Sequence, residues 1–142
     1  MLVTVGELVG VFARVFTGVL AENIGYLTTF ALVGAVRATF LAFMSLSTSL
    51  LAAWISYLGI RAIVAAPPRN ALISRLAPPS LYGVAFATIG IAIDIGSIIG
   101  PALSGYIIEN YGFGPAFFFL SLVYIVFSAS LALQRKNLEK AV

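Results

Sequence analysis

The chain has 142 residues, 61% of them apolar and 9% charged, with a formal net charge of +3. A soluble domain is about 45–50% apolar and about 25% charged, and a chain this short buries only a modest share of its surface, so the surplus apolar surface calls for lipid. The absence of cysteine and histidine excludes disulfides, thiol catalysis, Cys/His metal sites and histidine acid–base chemistry. The dispersed basic residues carry no nucleic-acid motif.

A hydrocarbon core about 30 Å thick takes roughly 20 helical residues. Five stretches reach or approach that length: residues 1–17, 27–44, 49–66, 82–108 and 114–133. Apolar residues surround each helix instead of forming a stripe, and none alternates strictly as a membrane strand would. The expected fold class is therefore an all-α membrane protein with about five transmembrane helices in a single membrane domain over residues 1–142. The start does not read as a signal peptide, since residues 1–5 carry no basic residue and Glu7 falls where an apolar run should lie. Direct entry into a hydrophobic segment is ordinary for a fragment of a longer protein.

The first segment carries Glu7 and Arg14 and leads into a polar turn from Gly18 to Tyr26. In that turn Gly18 is expected to allow close helix packing, Gly25 to supply the backbone freedom for reversal, and Glu22 to face a helix N-terminus or an arginine. Any tight helix hairpin uses glycine and an acid, so the pattern also has a purely structural reading. The second segment holds Arg37. Glu7 and Arg37 lie fifteen residues on either side of Glu22, so an antiparallel hairpin brings them to one depth, and they are expected to pair or at least to neutralise one another across the first two helices. A short uncharged connector, residues 45–49, leads to the third segment, which Pro67-Pro68 is expected to stop.

Residues 67–81 read as a loop with Arg69 and Arg75 on an amphipathic stretch, either as topology determinants or as contacts for anionic lipid or another protein half. Pro78-Pro79-Ser80 offers Ser80 as the N-cap of the fourth helix. In that helix Gly96 and Gly100 form a small-xxx-small pair extended by Gly105, a face suited to close helix association. Pro101 is expected to kink the helix or free a carbonyl. Asp94 lies within the span, where ionisable groups are costly. It is either a proton-coupling group or a structural acid bonded to a neighbouring helix or to Arg37. A breaker cluster at residues 110–115 precedes the fifth helix, and residues 134–142 form a polar tail.

If the helices alternate, Arg14, Arg61, Arg69, Arg75, Arg135, Lys136 and Lys140 fall on one side and only Glu109 on the other. The positive-inside rule then puts the Gly18–Tyr26 turn, the 67–81 loop and the C-terminus in the cytoplasm, with the N-terminus outside. Tyr26 and Tyr82 fall near the inner interface, Tyr106 and Tyr111 near the outer one, as aromatic belts do. The expected location is the cell membrane, crossed several times.

The stretch Arg14-Val-Phe-Thr-Gly18-Val-Leu-Ala-Glu22-Asn-Ile-Gly25-Tyr26 resembles the cytoplasmic turn signature of the major facilitator superfamily, G-x-x-x-D-x-x-G after an arginine. It departs from that signature in Glu22 for Asp, Asn23 for Arg and Tyr26-Leu27 for a basic pair. Pro79 to Gly83, Asp94 to Gly105 with Gly96, Gly100 and Pro101, and Tyr111-Gly112 look like the family's helix eleven and the following loop. In order and spacing the two match nearly the whole chain to helices eight to twelve. The resemblance implies the C-terminal part of a small-molecule permease or efflux transporter, a secondary active carrier lacking its N-terminal half and helix seven. By the family's pseudo-symmetry, the Glu22 turn would dock on the missing half.

Two functional readings follow. The first is a transporter part, not transport-competent alone, whose partners are the lipid bilayer, the missing half or another copy, and a small-molecule substrate once assembled. The second is a small non-transporting membrane protein or gene remnant that acts, if at all, through helix–helix association on the Gly96/Gly100 face. No nucleophile–base set, paired-carboxylate site or phosphate loop is present, so neither an enzyme nor a cofactor is expected.

Overall fold

Six α-helices and one 3-10 turn account for the residues that the structure, a computed structural model, describes: backbone for residues 2–138 and side chains for 6–134. The helices are α1 (Leu2–Ile24), α2 (Tyr26–Leu46), α3 (Leu50–Arg61), α4 (Ala66–Leu76), α5 (Tyr82–Tyr111) and α6 (Phe113–Leu138), with the 3-10 turn at Pro79–Leu81. There is no strand among the described residues. Four segments are long and apolar enough to cross a membrane: Tyr26–Leu46, Leu50–Leu76, Pro79–Tyr111 and Phe113–Gln134. Helix α1, with 23 residues but with Glu7, Arg14 and Glu22 among them, is not one of these four. The expected tail is helical to Leu138, and Lys140 lies outside the described residues.

The breaks between helices are far tighter than turn composition suggests. The expected polar turn from Gly18 is helical to Ile24, and Gly25 alone reverses the chain, at φ 92° and ψ 144°. The breaker cluster at 110–115 also reduces to one residue, Gly112, at φ 87° and ψ 177°. Such backbone angles are open essentially to glycine only. Ser49 caps α3, its side chain accepting from the Ala52 N–H at 3.2 Å. Ser80, expected to cap the fourth membrane helix, instead lies inside the 3-10 turn, and α5 starts after Leu81 without a side-chain cap.

Helix α2 is the hub. Its most extensive interface is with α6, and contacts along it keep one antiparallel register. The Ser128 hydroxyl donates to the Ala31 carbonyl at 2.7 Å and the Ser121 hydroxyl to the Ala38 carbonyl at 2.8 Å. Phe30 meets Phe127 edge to face at 5.3 Å, and a Cβ on Gly114 would come within 3.1 Å of the Ser45 carbonyl. Small and hydroxyl residues dominate this seam because lipid removes the hydrophobic driving force, leaving backbone approach and hydrogen bonds to hold helices together. On its other side α2 packs against α3 and α4. Arg75 stacks on the Tyr26 ring at 4.5 Å at one end, and the Phe40 ring fills the space where a Gly59 Cβ would stand at the other.

Helix α1 buries Gly6, Gly10, Ala13, Thr17 and Ala21, one face at three- and four-residue spacing. Gly6 meets Tyr57, and Gly10 lies 3.9 Å from the Arg61 carbonyl, measured from an ideal Cβ. Both pairs are 51 apart in sequence, so α1 runs parallel to α3. Gly18 has open space where close packing was expected, since a Cβ there meets nothing within 4 Å.

Substitution separates these glycines. Gly25→Ala and Gly112→Ala each force a side chain into the forbidden region, at a cost of about 1–3 kcal/mol, and Gly59→Ala collides with Phe40. All three should lower the thermal midpoint of the detergent-solubilised chain, followed by size-exclusion chromatography after heating. Gly18→Ala should leave it unchanged or slightly raised, since alanine is the better helix former.

Candidate substrate cleft

The third membrane span is broken. The reading above has one helix to residue 66 stopped by Pro67-Pro68; the chain instead leaves α3 at Arg61, passes through Ala62–Ala65, and restarts as α4 at Ala66. Pro67 and Pro68 open this second helix rather than ending the first, and much of the expected 67–81 loop is helical. The location suits proline. The first turn of a helix leaves N–H groups without partners, and two prolines there remove two of those donors outright. Arg69, three residues into α4, is the first to resume the ladder, with its N–H bonded to the Ala65 carbonyl at 3.1 Å.

The break also frees carbonyls at the end of α3, and Arg37 answers one of them. Its Nε and Nη2 donate to the Ile63 carbonyl at 3.3 and 3.0 Å, and Nη1 donates to the Tyr124 hydroxyl at 3.4 Å. Arg37 lies about 16 Å along α2 from Tyr26 and about 14 Å from Leu46, near the middle of the span. Unpaired backbone at that depth is tolerated only when protein or a cavity satisfies it. A cation at the C-terminal end of α3 also opposes the negative end of that helix's dipole.

Arg37 does not pair with Glu7. Glu7 forms an ion pair with Arg61 on the other side of the break. The physical reason is the turn position: the reversal falls at Gly25, not Glu22, so Glu7 is eighteen residues before it and Arg37 twelve after. The two therefore differ in depth by about 9 Å. Arg61 itself lies roughly 16 Å from the Leu50 end of α3, not at the end where charge bias put it. Arg14 and Glu22 are exposed, and neither has a charged partner among the described residues. Asp94 is exposed, and its carboxylate makes no ion pair or hydrogen bond among the described residues; the Ser97 hydroxyl bonds its backbone carbonyl. Gly96, Gly100 and Gly105 face open space, and α5 runs helical through Pro101 without a single buried residue.

Beside the break lies a cleft of about 660 Å³ between α2, α4, α5 and α6. Phe30, Val33 and Phe127 form an apolar wall, α5 contributes Ile93 and Gly96, and the polar groups are Arg37, Arg69 and Tyr124. Ala65, the residue before α4, also lines it. Arg69 and Tyr124 were not read as site residues. A signal for Tyr124 was present: Ser121, Tyr124 and Ser128 recur at three- and four-residue spacing within an otherwise apolar span, which puts them on one face. Arg69 reads as a loop charge if the prolines before it stop a helix; because they open α4 instead, it stands on that helix and lines the cleft.

The arrangement makes Arg37 an anchor. Arg37→Met should leave the Ile63 carbonyl unanswered, at a cost of about 1–3 kcal/mol, and should lower the thermal midpoint more than Arg14→Met, whose side chain is exposed. In the Glu7/Arg61 pair, the double variant Glu7→Gln/Arg61→Gln should unfold closer to the wild-type temperature than either single variant, because each single change strands one charge.

Comparison with known proteins agrees with this architecture. The family model of the Major Facilitator Superfamily matches residues 1–141. The multidrug resistance protein MdtG of Dickeya zeae (strain Ech586) is 32% identical over 74 residues, which cover 51% of this chain and 18% of that protein. The matched part thus spans less than a fifth of that relative's length. No solved structure matches the chain. The family is one of transporters rather than enzymes, and its match runs almost end to end over a helical, lipid-suited fold: the chain belongs to the major facilitator superfamily.

Proposed function

We propose that the chain is the C-terminal part of a secondary active transporter for small molecules, corresponding to the family's helices eight to twelve, and that it moves substrate only when further helices cover its open face. In this reading α3 and α4 together make one span, α1 makes another, and the cleft beside Arg37 belongs to the substrate path. A relative named as a multidrug resistance protein supports small organic compounds as the substrate class. The carrier sits in the cell membrane with the start of α1 outside and the end of α6 in the cytoplasm.

One observation carries the reading: α5, 30 residues long, buries nothing. A carboxylate at Asp94 facing hydrocarbon costs several kcal/mol unless protein or water meets it, so this helix is built for a neighbour or a water-filled cavity. The small residues Gly96 and Gly100 leave room for a close backbone. Arg14 and Glu22 on α1, exposed in this chain, fit a second contact with the same neighbour. Secondary transporters of this kind work by rocking two bundles about a midplane site, and one bundle alone has nothing to rock against.

The chain has no cysteine, so single thiols test both parts in cell membranes. Asn23→Cys and Ser80→Cys should react only after inside-out vesicles are made, Thr48→Cys and Asn110→Cys in intact cells; the opposite pattern reverses the orientation. Gly100→Cys should cross-link to a neighbouring membrane protein through a short bis-maleimide. The chain expressed alone should leave the accumulation of both a cationic dye, ethidium, and an anionic one, fluorescein, unchanged in an efflux-deficient strain. Extrusion of either dye by the lone chain, or a Gly100→Cys thiol that meets only lipid, would contradict the proposal. Cross-linking to another copy without transport would favour the non-transporting, self-associating reading.

A further inference from the structure

We infer that the cleft beside Arg37 takes a small organic anion: a carboxylate, sulfonate or phosphonate head carried on an apolar, preferably aromatic, body. The inference rests on the proposal that this cleft lies on the substrate path, and it adds the charge and shape of what enters.

The lining sets the sign. Two guanidinium groups, Arg37 and Arg69, line the cleft. None of the four acidic residues whose side chains are described does so: Glu7 is paired with Arg61, and Glu22, Asp94 and Glu109 are exposed outside it. Neither arginine is saturated. A guanidinium has five N–H donors. Arg37 uses three of them on Ile63 and Tyr124, leaving two. Among the described residues Arg69 reaches only the Asn70 side-chain oxygen beside it, through Nε and Nη2 at 3.2 and 3.1 Å, leaving three. Ala65, at the start of α4, lines the same cleft and brings no negative charge to it.

The walls set the shape. Phe30 and Phe127 meet edge to face at 5.3 Å, and Val33 and Ile93 continue the apolar lining. Two half-solvated cations among aromatic and aliphatic side chains are poorly compensated by protein alone, and an anion that brings its own apolar body satisfies both surfaces together. A neutral compound of the same outline gains only the wall. A cation meets repulsion from both arginines.

Thiol protection tests this on the full chain in phosphatidylcholine vesicles. Ala92 lines the cleft from α5, and Ala92→Cys supplies the chain's single thiol. The probes are naphthalene-2-sulfonate and the neutral naphthalene-2-sulfonamide, which share one ring system. The sulfonate should slow maleimide labelling of Ala92→Cys at a concentration at least about tenfold below that needed for the sulfonamide. Adding Arg69→Gln should raise the sulfonate concentration about tenfold, and Arg69→Lys should recover part of it. Arg69 holds no backbone carbonyl through its side chain, so both variants keep the fold. Equal protection by the two probes would overturn the anion inference while leaving the cleft a ligand site. Protection by neither would overturn the inference together with the reading of the cleft as part of a substrate path.

Discussion

Backbone hydrogen bonding in an apolar solvent is the constraint on which this structure turns. A helix satisfies itself along its length, but any interruption inside the span exposes carbonyls and N–H groups that lipid cannot meet. Here the interruption falls at Ala62–Ala65, and the protein meets it from both sides. Pro67 and Pro68 delete donors that would lack partners. Arg37, reaching from α2, supplies donors to the Ile63 carbonyl. Because the same guanidinium also reaches Tyr124 on α6, one side chain fixes three helices around one point.

The packing follows from that point. Helix α2 must approach both α4 and α6 closely, and the sequence permits it with Gly34 and Ala38 on its buried face and Ser121 and Ser128 on the opposing helix. With α2, α4 and α6 tied together and α5 lying loosely alongside, space remains between them, and that space is the cleft. Its positive character is a by-product of the solution: the cation that satisfies the break also faces the opening. Structure and binding chemistry thus share one residue.

Much of the fold was legible in the sequence because hydropathy and length report directly on lipid burial. The spans around residues 27–44, 82–108 and 114–133 correspond to α2, α5 and α6, which run a few residues further at their ends. Turn composition misled wherever a single glycine did the work of a whole polar cluster, as at Gly25 and Gly112, because the φ that only glycine tolerates makes longer turns unnecessary. That error moved the hairpin register by three residues and produced the wrong partner for Glu7. The proline pair misled in another way: the same two residues that end a helix can begin one, and composition does not tell which. Arg37 was visible as a charge inside a membrane segment, but its partner is a backbone carbonyl, and a sequence gives no sign of which carbonyls a fold will leave free. The close packing expected of Gly18, Gly96 and Gly100 is not made among the described residues.

Arg37 holds the broken span together by bonding the Ile63 carbonyl. Isotope-edited infrared spectroscopy of the chain in lipid, with carbon-13 and oxygen-18 at the Ile63 carbonyl alone, reads that bond directly. The labelled amide band should lie at low frequency in the wild type and move to higher frequency in Arg37→Met, where the carbonyl loses its charged donor. A band at one frequency in both proteins would mean that Ile63 is bonded within a continuous helix or to something else, and would contradict the Arg37 bond.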